Sequence, residues 1–163
     1  MSTAPLSIRA ATPDDAGLLH ELVTALAVYE REPHAVKATL EDLRASLFGE
    51  GATAHALICE QAGQAVGFAV YFFNYSTWLG RNGIYLEDLF VRPEHRGQGA
   101  GLALLRHLAR LAVERGCGRF EWAVLDWNQP AIDFYRAAGA RPMDEWTVYR
   151  MEGAALLDFA SGG

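Results

Sequence analysis

Apolar and polar positions alternate weakly over residues 6–11, which predicts a short first strand. Thr12-Pro13-Asp14-Asp15 then reads as a helix start. Threonine caps, proline suits the first helical position, and two acids favour the positive helix end. Leu19, Leu22, Val23 and Leu26 recur at helical spacing and carry this helix to about Tyr29. Residues 30–37 form a polar, proline-bearing connection, and residues 39–48 a second, shorter helix closed by Gly49.

A strand is predicted over residues 54–60, a hairpin turn at 61–64, and a long strand rich in Val, Phe and Tyr over 65–75. After a loop at 76–83 comes a strand at 84–91, then a glycine-rich segment and a long helix over 102–115 ended by Gly116. The apolar residues of that helix (Leu104, Leu105, Leu108, Leu111, Ala112) lie on more than one face, so it should be largely covered. A strand at 120–125, a short helix opened by Asn128-Gln129-Pro130, a last strand at 147–151 and an apolar tail at 154–159 complete the pattern. Hairpin-linked strands followed by helix crossovers predict an α/β (α+β) protein: a mixed, mostly antiparallel sheet with helices on both faces. No repeat or linker interrupts it, so residues 1–163 are expected to form one domain.

Composition narrows the function. Hydrophobic residues make up 51% and charged residues 21% of the 163, the profile of an ordinary globular protein with a real core. The net charge of -6 disfavours nucleic acid, whose phosphates need a basic face, and suits a cationic substrate as well as plain solubility. Cys59 and Cys117 sit apart in apolar segments, and the five histidines show no ligand spacing, so no metal is expected and both thiols should be buried and free. The N-terminus has no basic start or apolar stretch, and the most apolar run, residues 65–73, is too short to span a bilayer; a cytoplasmic, membrane-free protein is expected.

Candidate chemistry centres on Arg96-Gly97-Gln98-Gly99-Ala100-Gly101, after a strand and opening a helix. Repeated glycines let backbone approach a ligand, and the N–H groups at a helix start bind anionic phosphate. Arg96 adds a charged clamp. A P-loop would require Lys-Ser or Lys-Thr after its last glycine, where Leu102-Ala103 stands. A dinucleotide fingerprint would require Gly-x-Gly-x-x-Gly near the first strand.

Arg-x-x-Gly-x-Gly in this setting resembles the pyrophosphate signature of the GNAT superfamily of acyl-CoA N-acyltransferases. The stretches Tyr85-Leu86-Glu87-Asp88-Leu89-Phe90-Val91-Arg92-Pro93-Glu94 and Val124-Leu125-Asp126-Trp127-Asn128-Gln129-Pro130-Ala131-Ile132-Asp133-Phe134-Tyr135 resemble its diamine acetyltransferase branch. Phe48-Gly49 and the segment from Tyr75 to Arg81 also fit, particularly the thialysine N-epsilon-acetyltransferase members. The likeness covers nearly the whole chain.

This resemblance implies a GNAT fold, acetyl-CoA as donor and the primary amine of a small cationic molecule (a lysine-like amine or a polyamine) as acceptor. It implies that the backbone of Leu89, Phe90 and Val91 pairs with the pantetheine arm. The N–H groups of Gly97, Gln98, Gly99, Ala100, Gly101 and Leu102 would hold the pyrophosphate, and Asn128, Gln129, Pro130 and Ala131 would line the cofactor's other side. Asn128 is also a fitting helix cap. Tyr135 is implied as the acid that protonates the departing thiolate, and otherwise reads as a core tyrosine beside Ile132 and Ala138. Glu87 is implied as the base, acting through water, with Asp88 assisting at the amine. Neighbours on a strand point to opposite faces unless a bulge intervenes. Tyr29 and Glu30 match positions that contact the amine.

Two departures bear on substrate. Ser76 stands where polyamine-acetylating members tend to carry an acid, and the segment after Gly139 is shorter than in animal relatives, so Glu145 and Trp146 carry no implied contact. Direct transfer in a ternary complex is expected, since neither cysteine has an evident base partner. The family implies a homodimer. Acetylation of a protein or peptide amine, and a non-catalytic CoA-binding module, are the alternative readings.

Overall fold

The computed structural model describes residues 4–163. Its elements are β1 (Leu6–Ala10), α1 (Ala16–Tyr29), α2 (Leu40–Phe48), β2 (Ala54–Gln61), β3 (Gln64–Ser76), β4 (Arg81–Val91), α3 (Ala100–Glu114), β5 (Phe120–Trp122), α4 (Gln129–Ala137) and α5 (Gly153–Ala160). They fall into two compact units with the boundary between Leu125 and Asp126.

In the first unit the strands lie in the order β1-β2-β3-β4-β5. All neighbours are antiparallel except β4 and β5, which run parallel. Consecutive residues Ala56, Leu57, Ile58 and Cys59 are all buried, as are Phe68 and Ala69. Since neighbours along a strand point opposite ways, both sheet faces are covered, as the sequence pattern predicts. On one face Leu19, Leu22 and Leu26 of α1 close against Ala56, Ile58, Phe68 and Phe90, with Leu43 and Leu47 of α2 at the margin. Each such side chain, fully buried, contributes about 1.5–3 kcal/mol. The helix α3 packs against all five strands and contributes nothing to that cluster, so it covers the other face. It buries Leu104, Leu105, Leu108 and Ala112 and exposes Arg106, Arg110 and Val113. It is thus a one-sided helix, not one largely covered as its apolar spacing suggests.

Local chemistry sets the boundaries. Thr39 caps α2, its hydroxyl accepting from Asp42 N–H at 3.1 Å while the Asp42 carboxylate accepts from Thr39 N–H at 2.9 Å. Before α1, Pro13–Asp15 is a separate 3₁₀ turn. Arg9 of β1 donates to Asp15 at 2.7 Å and to Glu60 of β2 at 3.1 Å, and the guanidinium holds the Asp15 carboxyl down at about 2. The β2–β3 hairpin turns through Ala62 and Gly63, both at positive φ (52° and 75°), the primed turn that matches strand twist. Cys59 is buried, and burial pushes its thiol upward; Cys117 is half-exposed rather than buried. No helix among the described residues is long and apolar enough to cross a membrane.

In the second unit α4 is present as predicted, but residues 147–151 form no strand. They make no ladder with any strand among the described residues, and β-propensity without a hydrogen-bonding neighbour does not make a strand. The apolar tail is helical, as α5. Two further limits differ: β5 stops at Trp122 instead of 125, and α3 starts at Ala100, two residues early.

Candidate active site

The loop between β4 and α3 is shaped by two glycines. Gly97 (φ 79°) and Gly99 (φ 90°) adopt the left-handed conformation, and Gly99 is the residue from which α3 starts. A Cβ at Gly97 would meet nothing within 4 Å, so backbone geometry and not crowding calls for glycine there. The first intrahelical bond runs from Ala103 N–H to Gly99 C=O at 2.9 Å. The preceding N–H groups, those of Ala100, Gly101 and Leu102, therefore have no partner within the helix and stand at its positive end. An anionic pyrophosphate suits that set of donors.

Arg96, expected as a charged clamp, is exposed and anchored through its Nε. Its Nε donates to the Val91 carbonyl at 2.9 Å, and its guanidinium lies over the rings of Tyr29 (4.7 Å) and Phe90 (5.4 Å). It ties the end of β4 to the end of α1.

Strand β4 offers a second feature. Its parallel ladder with β5 comprises Ile84–Phe120, Tyr85–Glu121 and Leu86–Trp122 and ends there. From Glu87 to Val91 that edge has no strand partner among the described residues. Backbone groups alternate along a strand: those of Phe90 face β3, whereas Leu89 and the Val91 N–H face the opening, where an extended amide-bearing arm can add like a strand, the Val91 carbonyl being held by Arg96. Together the open edge and the glycine loop fit acetyl-CoA.

The ladder between β3 and β4 changes register within this stretch. Phe72 pairs with Tyr85 and Tyr71 with Leu86, but Val70 pairs with Asp88. Glu87 is the extra residue of a β-bulge. The alternation therefore restarts at Asp88, which shares the α1 face with Tyr85 and Phe90, while Leu86 and Leu89 face α3. Glu87 is exposed and Asp88 half-buried. Burial first, then the nearby charges of Glu87 and Glu30, push Asp88 up to about 6. Glu30, at the end of α1, is itself raised by burial. Tyr29, Glu30, Glu87 and Asp88, expected around one amine, are thus gathered in one unit around the end of α1. Ser76 is buried and its hydroxyl accepts from Leu79 N–H at 3.2 Å, which commits it to the turn after β3.

In the second unit Asn128 is buried, and its Oδ1 accepts from Ala131 N–H at 3.4 Å, capping α4. Gln129 and Pro130 form the exposed first turn, and Gln129 donates to Asp133 at 2.7 Å. Tyr135 is half-buried on α4, its ring 5.6 Å from that of Phe134.

Residues 19–140 match the Acetyltransferase (GNAT) family, running across the boundary between the two units. The chain belongs to this family. It is 42% identical to the thialysine N-epsilon-acetyltransferase of Sus scrofa, over 96% of this chain and 98% of that one. It is 31% identical to an L-ornithine N5-acetyltransferase of Arabidopsis thaliana, over 91% and 85%. Among solved structures it resembles an integron cassette protein from the mobile metagenome of V. cholerae, with a TM-score of 0.80, 29% identity, and coverage of 95% and 97%. This chain is therefore an N-acetyltransferase with a GNAT fold, and acetyl-CoA is its acetyl donor.

For this acetyltransferase the sequence pattern missed one neighbour of the acidic pair. Period-two alternation puts Tyr85 on the face opposite Asp88, and only the bulge at Glu87 brings the two to the same side. No residue type marks that bulge in advance.

Proposed function

We propose that this N-acetyltransferase moves the acetyl group to the side-chain amine of a lysine-like small molecule, thialysine above all, by direct attack in a ternary complex. The observation that carries the reading is the half-buried Asp88, placed by the bulge on the α1 face beside Glu87 and Glu30. Such a set attracts an ammonium group and takes a proton from it. The likeness to thialysine and ornithine acetyltransferases over most of the chain supports the same class of acceptor.

Acetyl-CoA supplies an activated thioester carbonyl. The N–H groups of Gly97, Gln98, Gly99, Ala100, Gly101 and Leu102 hold its pyrophosphate, and the open edge at Leu89 and Val91 holds its amide arm. Asn128, Gln129, Pro130 and Ala131 are further cofactor contacts, which the likeness to the family supports. Tyr29 and Glu30 receive the amine. Asp88 assists by lowering the cost of bringing the cation in, and the exposed Glu87 takes the ammonium proton through water. Tyr135 Oη gives a proton to the sulfur that departs. With Ser76 committed to a turn, the loop offers no carboxylate at that position for a distant polyamine nitrogen. The enzyme works in the cytoplasm as a homodimer.

The test is a panel of amines with release of CoA as readout. Thialysine and lysine should give higher kcat/KM than spermidine or spermine. A clear preference for spermidine, or release with peptides alone, overturns the assignment.

A further inference from the structure

Glu121 of β5 lies next to this site and no step above uses it. It pairs with Tyr85, which pairs in turn with Phe72, so all three belong to the α1 face that carries Asp88. The Phe72 and Tyr85 rings lie 5.2 Å apart and tilted by 32°. The half-buried Glu121 carboxylate accepts from Asn74 Nδ2 at 3.3 Å. Asn74 is on β3, two strands away, and reaches Glu121 only because Gly83 stands between them. A Cβ on Gly83 would fall 2.5 Å from Asn74 Oδ1. The Tyr85 phenol is raised by burial and then by the charges of Glu87 and Glu121, so both carboxylates lie within reach of it.

We propose that Glu121 is a specificity-determining residue, held by Asn74, that receives a second cationic group of the amine substrate while the reacting amine sits at Asp88. The proposal rests on the small-amine reading above and deepens it. Strand geometry supplies the scale: two residues along a strand and one strand across separate the two positions by roughly 8 Å. That separation matches the ends of a lysine-sized molecule. It leaves the outer nitrogens of a long polyamine without a partner. Tyr85 forms the floor between the two carboxylates, an aromatic face for the connecting methylenes.

L-Lysine and 6-aminohexanoate form the matched pair for the test, since they differ only in the α-ammonium group. In Glu121→Gln, KM for lysine should rise at least about 10-fold, because a charge-assisted contact is lost. KM for 6-aminohexanoate and for acetyl-CoA, and kcat for both amines, should stay within about two-fold, as expected for a contact equal in ground and transition states. Asn74→Ala, which frees the carboxylate without removing it, should raise KM for lysine by a smaller factor, again sparing 6-aminohexanoate. It serves as the second variant should Glu121→Gln fail to fold. Equal changes for both amines, or none for lysine in a folded variant, overturn the proposal while leaving the amine reading intact. A wild-type protein that acetylates neither amine nor thialysine overturns the amine reading and this proposal with it.

Discussion

Asp88 lies opposite Val70, one position beyond the Glu87 that an unbroken β3–β4 ladder would place there. That single extra residue decides which carboxylate is half-buried beside α1 and which stays exposed. Burial there, with the charges of Glu87 and Glu30, pushes the Asp88 carboxyl up to about 6. A carboxylate raised to about 6 is still ionised at physiological pH, so Asp88 can meet an ammonium group as an anion.

Asp88→Asn should therefore cut turnover by on the order of 10²-fold or more. In the wild type, kcat/KM for the amine should rise with pH through about 6, as Asp88 loses its proton. Glu87→Gln should keep the rise but move it to lower pH, since the Glu87 charge helps to hold Asp88 up. A pH profile of all three proteins checks this.

The same group makes a stability prediction of opposite sign. Asp88 binds its proton more tightly folded than unfolded, so its effect on stability is neutral below about pH 4 and increasingly unfavourable as pH climbs through about 6. The penalty at pH 7.5 reaches up to about 3 kcal/mol. Asp88→Asn removes it, so urea unfolding should show the variant more stable than wild type at pH 7.5, with the gap closing towards pH 4.

Gly99→Ala should cost about 1–2 kcal/mol of stability, because alanine resists a φ of 90°. Space is not the issue, since the added methyl would lie 3.9 Å from Leu6. Any relaxation of the turn rotates the N–H groups behind it, so the affinity for acetyl-CoA should fall more than ten-fold, by roughly 1.4 kcal/mol or more. Calorimetric titration beside a denaturation curve separates the two effects.

Tyr135→Phe keeps the ring and its contact with Phe134 and removes only the hydroxyl. The melting temperature should stay near wild type while turnover falls by on the order of 10²-fold. Full turnover in the folded variant would return Tyr135 to a packing role.

Ala62 holds a φ of 52° in the β2–β3 turn, a conformation alanine pays for and asparagine or glycine adopts easily. Ala62→Asn should raise stability by about 0.5–1 kcal/mol with no change in kcat. Thermal unfolding and a standard assay suffice.

What the sequence by itself determined about this N-acetyltransferase is what local rules carry. The helical spacing of Leu19, Leu22 and Leu26, the capping pair of Thr39 and Asp42, and the glycines ahead of Ala100 each act within a few residues, so these elements and the glycine loop were legible. Only the tertiary structure decided relations that depend on a neighbour far along the chain. The bulge at Glu87 exists because β3 pairs on both sides of it; residues 147–151 have no strand partner among the described residues and do not become a strand. Arg96 rests on Tyr29 rather than standing free, and Asn74 reaches Glu121 across the gap left by Gly83. A strand's faces reverse with a shift of one residue, and no local preference is strong enough to announce that shift.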